Sequence, residues 1–191
     1  MVWRRRALRN LALISTVLGT ASFIGGSVFV LFATQTLGLS PTGYGFLLVP
    51  GALAGIAGSM MAPKLARYPL RLVLGTVITA EGVTTLIMSR ISSPILVAII
   101  GGSGALVAVT WNVLTVALRQ RVIPDHLLGR VGASYRFLVY VGMPFGALAG
   151  GFLAKAFGIR AALAVNGVIL LTIGLAIPFL LRGITNESEV G

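Results

Sequence analysis

An all-α membrane protein of six transmembrane helices is the fold class this sequence predicts, and three observations predict it. Hydrophobic residues make up 57% of the chain and charged residues 10%, which leaves too little polar surface to cover a water-soluble domain. The apolar residues gather into six runs of membrane-crossing length, about 20 residues of helix, because lipid offers no partner for open backbone groups. The basic residues fall in short clusters between those runs. The net charge of +11 therefore reads as membrane topology rather than as a nucleic-acid surface.

Taken in order, a basic start carrying Arg4, Arg5, Arg6 and Arg9 precedes a first predicted span over residues 10–36, which Gly38, Ser40, Pro41 and Gly43 bring to a turn. The second span covers 43–66 and stops before Pro69. The third, 71–89, ends at Ser92, Ser93 and Pro94. The fourth, 94–117, runs into a basic connection, and the fifth, 133–155, is followed by Gly158. The sixth, 160–181, completes a bundle over residues 1–185, with 186–191 as a short tail.

Orientation follows from Lys and Arg, which cytoplasmic connections retain. With the N-terminus inside, Arg4, Arg5, Arg6, Arg9, Lys64, Arg67, Arg71, Arg119, Arg121, Arg130, Arg136 and Arg182 lie on or near the cytoplasmic side. Arg90, Lys155 and Arg160 lie opposite, so both termini are expected in the cytoplasm of a multi-pass protein of the cell membrane. The competing reading of the first run is a secretory signal peptide. The run is too long for an h-region and leads into further apolar runs, which favours a span.

Little material for catalysis is present. There are no cysteines, a single histidine and four acidic residues, so neither a disulfide framework nor a thiolate metal site is expected. His126 has no second ligand at useful spacing and is read as a solvated loop residue. No Gly-rich phosphate loop with its lysine occurs, and no cofactor, ATP-driven step or nucleic-acid partner is expected.

The most specific segment runs from Trp111, Asn112 and Val113 through Arg119, Gln120, Arg121, Val122, Ile123, Pro124 and Asp125 to His126, Leu127, Leu128, Gly129, Arg130 and Val131. This basic turn, with Pro-Asp and then Leu-Gly-Arg-Val leading into the next helix, resembles the connection between helices 10 and 11 of exporters in the major facilitator superfamily, particularly those similar to enterobactin and macrolide exporters. The stretch Leu37 to Gly45 and the junction Phe157-Gly158-Ile159-Arg160 agree with it in order. The resemblance covers nearly the whole chain but only the C-terminal six helices of a twelve-helix family. It implies secondary active export of small amphipathic molecules, with proton coupling, and a second six-helix half as partner. The start Met1 to Arg6 is similar to the basic linker before helix 7, so a fragment or truncated product is expected ahead of a half-size protein that forms homodimers.

The same resemblance nominates residues. The family's turn between the second and third helix of each half corresponds to Gly58 to Arg71, where the basic residues are present and the aspartate is missing. Lys64, Arg67 and Arg71, with Arg130, are carried over as gating charges, and ordinary positive-inside residues explain them equally well. The first, second, fourth and fifth spans are implied as cavity walls. Thr16, Thr20, Phe23 and Ser27 repeat at i, i+4, i+7 and i+11 and so share one helical face. That stripe suits either an amphipathic substrate path or a helix contact. Asn112, Tyr135, Arg136 and Tyr140 are further candidates for the path.

Glu81 stands near the middle of the third span, where a charge is costly, and is nominated for proton coupling. A protonated Glu81 hydrogen-bonding a neighbouring helix is the alternative. Direct pairing with Arg136 is not expected, because Arg136 lies about 10 Å away along the membrane normal at 1.5 Å rise per residue. The architecture implied by the resemblance makes the third helix a peripheral scaffold. On the fifth span, Gly142, Pro144, Gly146, Gly150 and Gly151 resemble a degenerate glycine-proline motif of the family's antiporters, and close packing explains them more simply. Against transport stands a second hypothesis, a non-transporting structural or partner-binding module. It is favoured if the polar stripe faces another helix.

Overall fold

The computed structural model describes residues 6–122 and 125–181; the side chains of 6–11, 119, 121, 122, 125–128, 130 and 131 lie outside the described set. Six helices account for nearly all of it: α1 (Arg6–Leu31), α2 (Pro41–Leu65), α3 (Leu70–Met88), α4 (Pro94–Val122), α5 (Asp125–Phe157) and α6 (Ile159–Leu180). A π-helical turn, Phe32–Thr36, prolongs α1. All six helices contain stretches long and apolar enough to cross a membrane.

Local chemistry sets the ends. Gly38 takes φ +66°, a left-handed conformation open to glycine, and reverses the chain after α1. Ser40 then caps α2, its Oγ accepting from the Gly43 amide at 3.1 Å, with Pro41 at the first helical position, where its missing N–H has no intrahelical partner to lose. Gly158, at φ +90°, makes the equally tight junction of α5 and α6.

The connection between α4 and α5 differs from the sequence reading. α4 continues to Val122 and α5 begins at Asp125, so both helices extend beyond the predicted membrane spans 94–117 and 133–155. His126 and Arg130 therefore sit in the opening turns of α5 and not in a loop. The reason is local: Asp125 favours a helix start through the macrodipole, and Leu127, Leu128 and Val131 follow at helical spacing.

Three helix pairs build the bundle, α1 with α5, α2 with α4 and α3 with α6, joined by lesser contacts of α1 with α6 and of α3 with α4. Each pair approaches closely at glycine. A Cβ added at Gly146 would run into the Thr20 carbonyl, and one at Gly150 would stand 2.7 Å from the Ile24 carbonyl oxygen. Likewise, one at Gly58 would stand 2.8 Å from the Leu106 carbonyl oxygen and one at Gly174 2.5 Å from the Thr79 amide nitrogen. Without a hydrophobic drive between helices in lipid, such close backbone packing supplies much of the association.

Large apolar side chains face outward, as a lipid solvent permits: Phe46, Met60, Ile95 and Leu148 are each 72% exposed. Inside, one apolar cluster around Ile14, Leu18, Leu74, Leu114 and Ile177 lies toward the α2–α3 and α4–α5 connections. A second, around Val28, Phe32, Val97 and Leu163, lies toward the other end. At that second end Arg160 of α6 donates to the Ser89 carbonyl at 3.2 Å and to Ser92 Oγ at 2.7 Å, and its guanidinium lies 6.0 Å from the Phe32 ring centroid. One side chain thus ties α6, the α3–α4 connection and the end of α1 together.

Candidate functional site

Alongside both apolar clusters, and sharing residues with each, the bundle holds a half-open cavity of about 1080 Å³. Its walls come from every helix. α1 contributes Ser15, Ser22, Gly26 and Phe29, and α3 contributes Ile78, Glu81, Thr84 and Thr85. Ser103, Trp111, Asn112 and Gln120 come from α4, and Tyr135, Arg136, Tyr140 and Met143 from α5. Leu48 of α2 and Leu163, Asn166 and Leu170 of α6 complete it. Apolar side chains therefore alternate with hydroxyls, amides and two charges, a lining suited to a ligand that is greasy with a few polar groups.

Glu81 is held by hydroxyls. Ser103 Oγ donates to Glu81 Oε2 at 3.1 Å, lies 3.1 Å from Thr84 Oγ1 and is 2.7 Å from the Ile100 carbonyl. Thr84 Oγ1 in turn donates to the Glu81 carbonyl at 3.0 Å. Gly104 leaves room for the carboxyl, since a Cβ there would stand 2.9 Å from Glu81 Oε1. This corrects the expectation of a peripheral scaffold for the third helix: α3 presents Glu81 to the cavity and links it to α4.

The stripe of Thr16, Thr20, Phe23 and Ser27 does not line this cavity. It meets α5, where a Cβ added at Gly142 would collide with Thr20 Oγ1, one at Gly146 would stand 3.1 Å from Phe23 Cβ, and one at Gly150 2.5 Å from Ser27 Oγ. The hydroxyls are spent within their own helix, Thr16 donating to the Ala12 carbonyl and Thr20 to the Thr16 carbonyl at 2.9 Å, and Ser27 to Ile24 at 3.1 Å. The cavity-facing stripe of α1 is its neighbour, Ser15, Ser22, Gly26 and Phe29, at i, i+7, i+11 and i+14. It is one residue, about 100° of helix, away from the stripe the sequence singled out. Ser15 also accepts from Tyr135 Oη across the bundle.

Asn112, Arg136 and Tyr140 line the cavity. Lys64 and Arg67 are exposed at the α2–α3 connection, and Arg71 stands in the first turns of α3 with its Nε buried and unpaired. The Arg130 side chain lies outside the described residues, as do Arg4, Arg5, Arg182 and the 186–191 tail. Asn166 went unnoticed in the sequence. It is 4% exposed, its Oδ1 has no hydrogen-bond partner, and α1 makes room for it at Gly25, where a Cβ would stand 2.5 Å from Nδ2. Its signal was available: an amide inside an otherwise apolar run.

Six membrane-length helices packed in three glycine-seamed pairs beside a cavity of mixed polar and apolar lining define a polytopic membrane bundle. The chain belongs to the Major Facilitator Superfamily, which it matches over residues 11–190, and its six helices constitute one half of that fold. It is 29% identical over 187 residues to the multidrug efflux pump Tap of Mycolicibacterium fortuitum, an alignment covering 95% of this chain and 44% of that relative. The chain thus spans less than half the length of the relative it matches.

Proposed function

We propose that the chain is the C-terminal half of a proton-coupled secondary exporter of small amphipathic molecules, seated in the cell membrane with both termini cytoplasmic. The single observation that carries this reading is the cavity of about 1080 Å³ with its mixed lining inside the membrane-spanning bundle. Family membership and the likeness to an efflux pump support export, and the reading assigns no catalytic chemistry or cofactor. Glu81 is the proton site, because it joins the cavity to the α3–α4 contact through Ser103 and Thr84, so a change in its protonation alters both. Asn112, Arg136 and Tyr140 contact substrate. Lys64, Arg67, Arg71 and Arg130 gate the cytoplasmic side.

Alternating access works by rocking two six-helix halves around a site near the midplane, so the partner is a second half, in the same polypeptide or a second copy. Reconstitution into proton-loaded liposomes tests this. Substrate-dependent proton flux is expected when the chain is coexpressed with a complementary half and lost in Glu81→Gln. Robust flux from a chain shown to be monomeric would overturn the half-transporter reading. The packing of Thr16, Thr20 and Ser27 on α5 favours a second reading, a non-transporting structural module. That reading gains if no ligand enters the cavity and no flux appears with any partner half.

A further inference from the structure

We infer that Ser103 is a positioning residue that passes the protonation of Glu81 on to α4, through one hydroxyl hydrogen for which the carboxylate and the Ile100 carbonyl compete. The inference rests on the proposal that Glu81 is the proton site and names how that site acts on the helix beside it.

Ser103 Oγ has one hydrogen and three acceptors in reach, Glu81 Oε2 at 3.1 Å, the Ile100 carbonyl at 2.7 Å and Thr84 Oγ1 at 3.1 Å. An ionised carboxylate can only accept, so it takes the Ser103 hydrogen in a charge-assisted bond. The Ile100 carbonyl is then left to the Gly104 amide, its partner in a regular helix. A protonated carboxyl can donate. Its proton, taken up from water through the half-open cavity, points to Ser103 Oγ, and the serine turns its own hydrogen to Ile100 by rotation about Cβ–Oγ. Thr84 adjusts with it, since its single hydrogen reaches either Ser103 Oγ or the Glu81 carbonyl, 3.0 Å away.

The place of this exchange gives it leverage. A serine that bonds back to its own helix adds a second donor to a carbonyl already in use, which loosens that turn and bends the helix. In α4 the turn contains Gly101, Gly102 and Gly104 and touches both neighbouring helices. A Cβ at Gly104 would stand 2.9 Å from Glu81 Oε1 of α3, and one at Gly102 3.2 Å from the Pro50 carbonyl oxygen of α2. Pro50 lies inside α2 and leaves the Phe46 carbonyl without its helical partner, so α2 yields at the same level. A bend begun at Ser103 is therefore taken up by both members of the α2–α4 pair. It moves Trp111, eight residues along α4 on the cavity wall (111 − 103). Among the described residues lining the cavity, α1, α2, α4 and α6 bring no titratable or charged side chain to face Glu81, and α5 brings Tyr135, Arg136 and Tyr140. What α4 sets against the carboxyl is the Ser103 hydroxyl.

The test uses the whole chain in a non-ionic maltoside detergent, in a Trp3→Phe, His126→Gln background that leaves Trp111 as the tryptophan and removes the one histidine. Infrared difference spectra between about pH 4 and pH 9 report the protonated carboxyl through its C=O band, assigned to Glu81 by its loss in Glu81→Gln, and Trp111 emission over the same range reports α4. The parent is expected to show both changes with one midpoint, and Glu81→Gln neither. Ser103→Ala should keep the carboxyl band and lose the Trp111 response. Ser103→Thr, which keeps the hydroxyl, should restore that response. Ser103→Cys, close in volume but a weak donor, should diminish it and stands in if the alanine variant fails to fold by circular dichroism. Three results overturn the role of Ser103 and leave Glu81 standing as the proton site: a full Trp111 response in Ser103→Ala or its stand-in, a lost response that Ser103→Thr does not restore, or no response in the parent while the carboxyl titrates. Absence of a titrating Glu81 band in the parent overturns both.

Discussion

Glu81 shows how a membrane interior holds a carboxyl. Placing an acidic side chain at mid-helix costs on the order of 2.5–3.5 kcal/mol on insertion scales, so it is retained only with polar partners within reach. Ser103 and Thr84 supply them across the α3–α4 contact. Ser103→Ala should therefore lower stability by about 0.6–2 kcal/mol, the range for interhelical hydrogen bonds in membranes, read as a drop in the thermal unfolding midpoint in detergent. An unchanged midpoint would show that the hydroxyl is not a structural link. Arg160 makes a comparable claim at the other end of the bundle. Arg160→Gln removes the donors to Ser89 and Ser92, and a single cysteine at Ser93 should then react faster with a water-soluble maleimide than in the parent. That Glu81 mattered was legible in the sequence, since a lone acid in an apolar run announces itself. That it faces the cavity was not, because facing depends on which neighbours α3 finds.

For the helices themselves, the decisive contacts are made where there is no side chain. Gly82 of α3 lies against the Leu171 backbone and 2.9 Å from the Gly167 carbonyl oxygen, measured from the position its Cβ would take, whereas Gly151 of α5 has nothing within 4 Å. Gly82→Leu should cost about 1–3 kcal/mol or more by forcing α3 and α6 apart, while Gly151→Leu should be nearly neutral in the same unfolding assay. Equal effects would mean that leucine perturbs these helices for reasons other than backbone approach. The spacing of Gly146 and Gly150 was readable as a packing element, and it is one, against α1. The α1 stripe, which suited either a path or a helix contact, makes the helix contact, on α5, and a neighbouring stripe lines the cavity. Helical periodicity groups residues by face but leaves open which face looks inward, and stripes one residue apart are equally regular. Similarly, the helical start at Asp125 was obscured because Pro-Asp signals a turn and a helix beginning alike.

The fold class of the whole molecule was open to sequence reading because the bilayer imposes it: six apolar runs admit six helices and little else. The helix pairing was not, since it is fixed by backbone fit across the bundle. Orientation belongs to this scale too. The chain has no cysteine, so single cysteines can be introduced one at a time. Cysteines at Ser40 and Ser92 should be labelled from outside intact cells, and one at Arg67 only after permeabilisation. The reverse pattern would invert the topology drawn from the basic residues.

The three helix pairs carry a consequence for synthesis. None joins neighbours in sequence: α2 waits for α4, α1 for α5 and α3 for α6. A ribosome delivering helices to the membrane in order therefore cannot complete the bundle by adding finished hairpins. The first pair to close is α2 with α4, and the last is α3 with α6, whose second member ends 92 residues after α3 does (180 − 88). At translation speeds of about 5–20 residues per second, α3 and its glutamate spend roughly 5 to 20 s without their principal partner. During that interval Ser103, arriving on α4, gives Glu81 its first neighbour from another helix. The hydroxyl cluster then serves the nascent chain as a holding contact before it serves the finished protein, and the interval before α6 arrives is the period in which a membrane chaperone or quality-control protease has most to recognise.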